Sequence, residues 1–445
     1  MVSPCAWPFC ICCLGVERLT ALIVKGGRVI DPATGFDAVA DVLVRRGKIS
    51  AVEPSVDAEG TVIDASGKIV VPGLVDMHVH LREPGREDEE TIASGTRAAL
   101  RGGFTTICAM PNTDPCADTA SVIDLVEARA AADGVVNVLP IGAITKGRQG
   151  KEIAEMGELA AAGAVAFSDD GTSVASAEVM RRALEYSKMF DLPIISHCED
   201  ADLARGAMHE GFVSTRLGLV ATPSAAEEVV VARDVCLAEL TGARLHVAHL
   251  SSAGSVEIVR RAKKRGAKVT CEVTPHHLIL TEDALAGYDT NCKVNPPLRT
   301  EADREALREG LADGTIDAIA TDHAPHASHE KECELIDAPF GMVGLETAVP
   351  LLLTELVSRA GIDPVAVVAA LTTRPASVLR VPAGTLSPGS SADLTVIDPS
   401  VEGTIDTSAF ESRSRNSPFH GRAVSAAVTD VLVGGVWMLR GGEIQ

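Results

Sequence analysis

Residues 71–82 read VPGLVDMHVHLR, an apolar run that ends in two histidines separated by one residue. The apolar part is typical of a buried β-strand. Because side chains alternate along a strand, His78 and His80 are expected to point to the same side at its end. Imidazole nitrogen is a common ligand of zinc and related metals. A single pair of histidines is equally compatible with packing or solvation, so its meaning depends on the rest of the chain.

The region that contains this stretch, residues 69–379, alternates short apolar runs with helical patterns. Eight runs are predicted as strands: 70–80, 105–111, 136–144, 164–170, 193–199, 244–251, 268–275 and 318–323. Thr300 and Asp303 form the pattern of a helix capping box after the seventh run. Eight strand–helix units with right-handed crossovers predict an α/β fold, a (β/α)8 TIM barrel. An open doubly wound sheet is the alternative, but no glycine-rich phosphate loop follows the first strand.

The two ends of the chain share a different pattern, short strands separated by glycine turns. Gly26-Gly27 lies between two such strands near the start, and Gly434-Gly435 lies between two near the end. Hairpins of this kind predict one small β domain built from residues 21–68 and 380–445, beside a barrel over residues 69–379.

The composition limits the kind of partner. Of the 445 residues, 61 are acidic and 40 are basic, which gives a formal charge of −21. This balance argues against nucleic acid and against an anionic membrane surface. An anionic substrate would therefore need local positive charge from an arginine or a metal.

The cysteines indicate a reducing compartment. Seven of the eleven are scattered singly through the chain without CxxC spacing, and the other four lie in the first thirteen residues. We expect free thiols and a cytoplasmic location. Residues 1–20 lack the cationic region and cleavage site of a secretory signal and are predicted to be a disordered extension.

Most predicted strands end in a side chain that can bind a metal or a substrate. These side chains are His78 and His80, Asn112, Asp169 and Asp170, His197, His249, His276 and His277, and Asp322 and His323. In a barrel the carboxyl ends of all strands gather at one face, where such enzymes have their active sites. This gathering of histidines and carboxylates predicts a metal centre there.

The predicted ligand set combines four imidazoles with two carboxylates. Its members are His78, His80, Asp170, His197, His249 and Asp322, with Asp169 as the competitor of Asp170 and with His246 assigned to packing. Nitrogen and oxygen ligands in this mixture favour Zn²⁺, as one or two ions. Zinc would lower the pKa of its water from ~15.7 to ~7, and Asp322 could carry the proton to a leaving nitrogen.

Seven motifs carry a more specific signal: VDMHVHLREPG, MPNT, FSDDG, HCED, VNPPLR, TDHAPH and APFGMVGLET. Together they resemble the dihydroorotases, a family of the amidohydrolase superfamily, from about residue 22 to residue 445. The resemblance implies reversible cyclisation of N-carbamoyl-L-aspartate to (S)-dihydroorotate in pyrimidine biosynthesis. It implies attack of a metal-bound hydroxide on the ring amide carbonyl, with Asp322 as proton carrier. It also favours Asp170 over Asp169 as the ligand.

The resemblance further implies a set of substrate-binding residues. They are Arg82, Asn112, Asn295, His326, and the backbone of Phe340 and Gly341. The guanidinium of Arg82 offers two parallel donors to a carboxylate, although a surface salt bridge is the alternative. Turn formation is the alternative role of the two asparagines, because each adjoins a proline. The segment 324–341 is expected to be a mobile loop that closes over substrate.

Two other functions remain open from the sequence. Hydantoinases and dihydropyrimidinases carry a carboxylated lysine at the end of strand four, whereas this chain has Asp170 there and resembles the dihydroorotases with aspartate. A related cyclic amidase, a hydantoinase or allantoinase, is therefore one alternative. The other is a non-catalytic scaffold partner of aspartate transcarbamoylase, which the complete ligand set disfavours. The expected partners are the small-molecule substrate, a second copy in a homodimer, and aspartate transcarbamoylase.

Overall fold

The computed structural model describes residues 21–445, so the predicted extension at residues 1–20 lies outside the described residues. Eight parallel strands form a closed barrel. Three of them pair in one sheet (Leu74–Val79, Phe104–Ala109, Asn137–Pro140) and five in a second (Phe167–Ser168, Ile194–Ser196, Leu245–Val247, Val269–Val273, Ala318–Ile319). Parallel bridges Gly142–Phe167 and Val79–His323 join the two sheets on both sides. The predicted (β/α)8 barrel is confirmed, and the open sheet is excluded.

Helices connect the barrel strands. The longer ones are Ile92–Arg101, Ala120–Asp133, Ala177–Ser187, Ala225–Thr241, Ala253–Lys264, Glu301–Ala312, Pro364–Leu371 and Thr373–Leu379. Shorter helices are Met156–Ala161, Phe212–Leu217, Pro275–Ile279, Ser328–Lys331 and Ala348–Leu352, the last followed by a π-helix at Leu353–Arg359. The predicted capping box is present, since Thr300 and Asp303 each bind the other's backbone N–H. Within residues 21–445 no helix is long and apolar enough to cross a membrane.

Strands from both ends of the chain form one nine-stranded sheet, as predicted. Five come from the N-terminal part (Leu22–Asp31, Phe36–Arg45, Lys48–Glu53, Thr61–Asp64, Ile69–Pro72) and four from the C-terminal part (Leu394–Thr404, Ala423–Val433, Val436–Arg440, Glu443–Ile444). The two parts meet where Ile69–Pro72 pairs antiparallel with Leu394–Thr404. The exact division into domains stays a prediction.

The first predicted strand, 70–80, is in fact two strands. Ile69–Pro72 belongs to the nine-stranded sheet, and Leu74–Val79 belongs to the barrel. Gly73 separates them at a very close approach, because a Cβ atom there would lie 2.1 Å from Oγ1 of Thr105. Only glycine allows the chain to pass from one sheet to the other at this point.

The barrel interior is filled by apolar side chains below the strand ends. Its buried cluster consists of small and medium residues from several strands, among them Met77, Cys108, Met110, Ile141, Ala166, Ile195, Ala248, Ala318 and Ala320. Aliphatic and sulfur-containing side chains thus fill the interior of a chain in which aromatic residues make up only 3%. This packing separates the polar strand ends at the mouth of the barrel from the opposite end.

Candidate metal centre

Asp170 lies at the centre of the side chains that were predicted as metal ligands. Its Oδ1 atom is 3.2 Å from Nε2 of His78 and 3.7 Å from Nε2 of His249. The same oxygen is 3.8 Å from Nδ1 of His197, and Oδ2 is 3.6 Å from Nε2 of His80. Four imidazoles from three strand ends therefore face one carboxylate.

Asp322 completes the arrangement from the last barrel strand. Its Oδ1 atom is 3.0 Å from Nε2 of His80 and 3.5 Å from Nε2 of His78. Two overlapping triads each bring their ligand atoms within 4.8 Å of one another, His78 with Asp170 and His249, and His78 with His80 and Asp322. The six residues are brought together by the fold, and both triads share His78.

The donor set fits a cation. Within residues 21–445, Nε2 of His78 and Oδ1 of Asp170 are buried without a hydrogen-bond partner, although they face each other. Leaving such groups buried and unpaired costs about 1–3 kcal/mol each, a cost that a bound metal would remove. Buried nitrogen and carboxylate donors around a shared point are the ligands that zinc and similar ions take.

Two of the six residues also have strained backbones. His249 has a φ of +29° and Asp322 a φ of +48°, both in the left-handed region that non-glycine residues rarely adopt. Such strain persists only where surrounding contacts enforce it, and it concentrates at functional sites.

The far nitrogens of three imidazoles are held by other side chains. Nδ1 of His78 is 2.7 Å from Oε1 of Glu272, and Nδ1 of His80 is 2.9 Å from Oδ1 of Asn112. For His197 the far atom is Nε2, which lies 3.5 Å from Oε2 of Glu199. In each ring this contact leaves the other nitrogen directed at the centre, the usual arrangement around protein-bound metals.

Sequence reasoning did not assign a role to Glu272 or Glu199. Burial raises the pKa of Glu272, but the interaction with His78 and the hydrogen bond with His246 outweigh it and lower the pKa to about 2. The carboxylate is therefore ionised at neutral pH inside the barrel. The glutamate is the only charged residue of the strand Val269–Val273 and was the available signal, because an acidic side chain inside a barrel needs partners.

The competing residues have other partners. Asp169 accepts hydrogen bonds from the backbone N–H groups of Ile144 and Thr145, both at 2.9 Å, so the structure directs its carboxylate away from the centre. His246 is buried as expected, but it is also hydrogen bonded, with Nε2 3.2 Å from Oε2 of Glu272. His277 lies 3.0 Å from the carbonyl oxygen of Pro296 through Nε2.

Arg82 and His326, two of the residues predicted to bind substrate, lie in the segments that follow the first and the last barrel strand. Arg82 has a φ of +61° and donates from Nε and Nη2 to the carbonyl oxygen of Pro325, at 3.2 and 3.1 Å. His326 donates from Nε2 to the carbonyl oxygen of Phe340 at 2.8 Å. Asn295 donates to Oε2 of Glu199 at 3.1 Å. These contacts place the loop 324–341 against the strand-one arginine.

The chain is similar in sequence to known proteins along almost its whole length. A family profile described as "Dihydro-orotase-like" matches residues 67–255. The dihydroorotase of Pelotomaculum thermopropionicum is 56% identical to this chain, over 93% of this chain and 97% of the relative. The dihydroorotase of Acetivibrio thermocellus is 51% identical, over 94% of this chain and 99% of the relative.

Solved structures of cyclic amide hydrolases share the fold over almost the whole chain. The L-hydantoinase from Arthrobacter aurescens has a TM-score of 0.87 at 28% identity and covers 95% of this chain and 97% of its own. The dihydropyrimidinase from Brevibacillus agri has a TM-score of 0.84 at 25% identity, with 95% and 96% covered. The barrel, the convergent side chains and the sequence relatives agree. The chain therefore belongs to the dihydroorotase family and is a cyclic amide hydrolase.

Proposed function

We propose that this chain is a zinc-dependent dihydroorotase that catalyses the reversible cyclisation of N-carbamoyl-L-aspartate to (S)-dihydroorotate in de novo pyrimidine biosynthesis. The observation that carries the proposal is the position of Asp170, with imidazole nitrogens of His78 and His249 at 3.2 and 3.7 Å. Relatives named dihydroorotase, 51% and 56% identical over nearly the whole chain, support the substrate.

The residues that would hold zinc are those that converge at the barrel mouth. They are His78, His80, Asp170, His197, His249 and Asp322. When bound, zinc would act as a Lewis acid and lower the pKa of a water at the site. Zinc is favoured because nitrogen donors outnumber carboxylates in this set.

Asp322 is proposed as the proton carrier. Burial raises the pKa of Asp322. The electrostatic interaction with His78 and the hydrogen bond with His80 lower it by more, and so hold the pKa below its usual range. An ionised Asp322 can take a proton from the attacking water during ring opening and pass it to the ring nitrogen that leaves. In ring closure the same carboxyl group moves the proton in the opposite direction.

The rim residues are proposed to bind the anionic substrate. Nε and Nη2 of Arg82 each donate one hydrogen bond to the carbonyl oxygen of Pro325. The remaining N–H groups of the guanidinium can therefore donate to a carboxylate. Asn112, Asn295, His326 and the backbone of Phe340 and Gly341 would contact the ring. The positive φ of +132° at Gly341, and the 2.7 Å that a Cβ there would leave to Cβ of Ala324, explain why this position is glycine.

Turnover by the purified protein tests the proposal against its alternatives. We expect hydrolysis of dihydroorotate in preference to hydantoin, dihydrouracil and allantoin, with zinc bound in proportion to activity. His78→Ala and His80→Ala should both abolish turnover and lower bound zinc while the barrel remains folded. A faster reaction with hydantoin or allantoin would identify a different cyclic amidase. A fully metallated protein without turnover would point to the non-catalytic scaffold.

The cellular setting is also a proposal. The seven cysteines within residues 21–445 are all free thiols, which supports a reducing compartment and hence the cytoplasm. The homodimer and a complex with aspartate transcarbamoylase stay predictions. Light scattering of the protein alone, and with aspartate transcarbamoylase added, measures both.

A further inference from the structure

Glu89 is a fully buried carboxylate beside two of the proposed substrate-binding residues. It precedes the helix Ile92–Arg101, and its side chain has no exposed surface. Oε2 of Glu89 lies 2.9 Å from Nε of Arg82, and Oε1 lies 3.0 Å from Nδ1 of His326. Arg82 follows the first barrel strand and His326 follows the eighth, so one carboxylate joins the two strand ends.

The ring of His326 is held on both sides. Nδ1 faces Glu89, and Nε2 lies 2.8 Å from the carbonyl oxygen of Phe340. The imidazole is therefore fixed at both ring nitrogens, by a side chain and by the backbone. Glu89 faces this ring with one carboxylate oxygen and the guanidinium of Arg82 with the other.

The surrounding charges indicate an ion-pair cluster and not a second metal site. Glu89, His326 and Glu330 bring potential ligand atoms within 4.8 Å of one another. However, Nη2 of Arg86 lies 2.7 Å from Oε1 of Glu89 and 2.6 Å from Oε1 of Glu330, so a cation already occupies this position. With Arg82, the cluster contains two guanidinium groups and two carboxylates. Glu89 is shared between Arg82 and Arg86, so it does not neutralise Arg82 alone, and an anionic substrate can still meet positive charge in a chain of net charge −21.

We propose that Glu89 is a positioning residue that holds Arg82 and His326 at the spacing needed to bind the carboxylate of the substrate. This inference rests on the proposed dihydroorotase function. Nε of Arg82 faces Glu89, and Nε and Nη2 donate to the carbonyl oxygen of Pro325, so Nη1 has no hydrogen-bond partner among residues 21–445 and is left for a substrate carboxylate. Without the buried negative charge, Arg82 and His326 lose the group that sets their distance.

A double-mutant cycle tests this role. Glu89→Gln keeps the size of the side chain and removes its charge, and Arg82→Met removes the proposed carboxylate contact. We expect Glu89→Gln to raise KM for dihydroorotate by at least ~10-fold while kcat changes much less, because Arg82 and His326 lose the charge that aligns them for the substrate carboxylate. In the Arg82→Met background, Glu89→Gln should raise KM by a smaller factor than in the wild type, since only the contact with His326 is left to lose.

Glu257→Gln is the matched control. Glu257 pairs with Arg260 and Arg261 on an exposed helix surface and contacts neither Arg82 nor His326, so the KM of this variant should stay within ~2-fold of the wild type. Bound zinc should be unchanged in all variants. If Glu89→Gln does not fold, Glu89→Asp keeps the charge on a shorter side chain and should raise KM with a near-normal kcat.

Two results would overturn the inference. The first is an unchanged KM in the folded Glu89 variant, whether or not kcat falls. The second is a double variant in which the effects of Glu89→Gln and Arg82→Met on KM simply multiply. The wild-type protein separates these from failure of the proposed function. If it turns over dihydroorotate, only the role of Glu89 is at stake, whereas no turnover at full zinc occupancy would overturn both.

Discussion

Oε1 of Glu272 lies 2.7 Å from Nδ1 of His78, and neither side chain has any exposed surface. The contact directs Nε2 of His78 at Asp170, 3.2 Å away. The same oxygen accepts a hydrogen bond from the backbone N–H of His249 at 3.3 Å. One carboxylate inside the barrel thus orients two of the proposed ligands, from strand one and strand six.

Glu272→Gln is expected to weaken metal binding. The amide loses the negative charge that favours one tautomer of His78. Loss of such a partner should reduce zinc affinity about 10–100-fold. Transfer of zinc to a chromophoric chelator measures it. Glu257→Gln, on an exposed helix surface, is the control and should release zinc at the wild-type rate. Equal release from both variants would mean that Glu272 has only a packing role.

Asp322→Asn separates metal binding from proton transfer. Asparagine keeps the shape and an oxygen ligand but cannot carry a proton, so kcat should fall by at least ~10²-fold in both directions while most zinc remains. Because hydrolysis needs the ionised carboxylate and cyclisation needs the protonated acid, hydrolysis should decline in acid and cyclisation in alkali. Initial rates in both directions across pH, with metal content, measure this. A variant with wild-type kcat would make Asp322 a ligand only.

Asn416→Ala should release the loop 324–341. Oδ1 of Asn416 accepts from the backbone N–H of His326 at 3.2 Å, and Nδ2 donates to the carbonyl oxygens of Ala324 and Gly341 at 3.0 and 3.2 Å. Leaving these buried groups unpaired costs ~1–3 kcal/mol each. Hydrogen exchange in residues 324–341 should accelerate and KM should rise. Ser408→Ala, which removes an exposed hydroxyl that contacts only Asp406, is the control. Unchanged exchange would show that other contacts hold the loop, and whether the loop closes over substrate stays a prediction.

Glu346 should make stability depend on pH. Burial raises its pKa from the usual 4.5 to about 7, despite hydrogen bonds from the backbone N–H groups of Glu411 and Ser412. Between these two pH values the folded protein retains a proton that the unfolded chain releases, so the free energy of unfolding falls as pH rises. The contribution is about 3 kcal/mol, present below pH ~4.5 and lost above pH ~7.

Thermal unfolding at pH 5 and pH 8 measures this dependence. Glu346→Gln cannot titrate, so the difference in stability between the two pH values should shrink by about 2 kcal/mol relative to the wild type. The comparison within each protein removes any constant cost of the altered hydrogen bonds. An unchanged difference would mean that Glu346 titrates alike in the folded and unfolded states.

The order of the barrel strands and the residues at their ends could be predicted from the sequence. Apolar runs of strand length recur between helical patterns, and a parallel barrel places every carboxyl end at one face. The boundaries could not be predicted equally well, because the apolar run across Gly73 is continuous in sequence. Only the antiparallel pairing of Ile69–Pro72 with Leu394–Thr404 divides it.

By itself the sequence determined the fold class, the six residues that converge at the barrel mouth and the family, since each depends on local pattern or on short motifs. Only the tertiary structure decided which side chains contact these six residues and the proposed substrate-binding residues. His78 and Glu272 are 194 residues apart in the chain, and Glu89 and His326 are 237 apart. Nothing in a local pattern pairs residues at such separations. Closure of the barrel brings the first and last strands together, and burial then makes each charge depend on its partner.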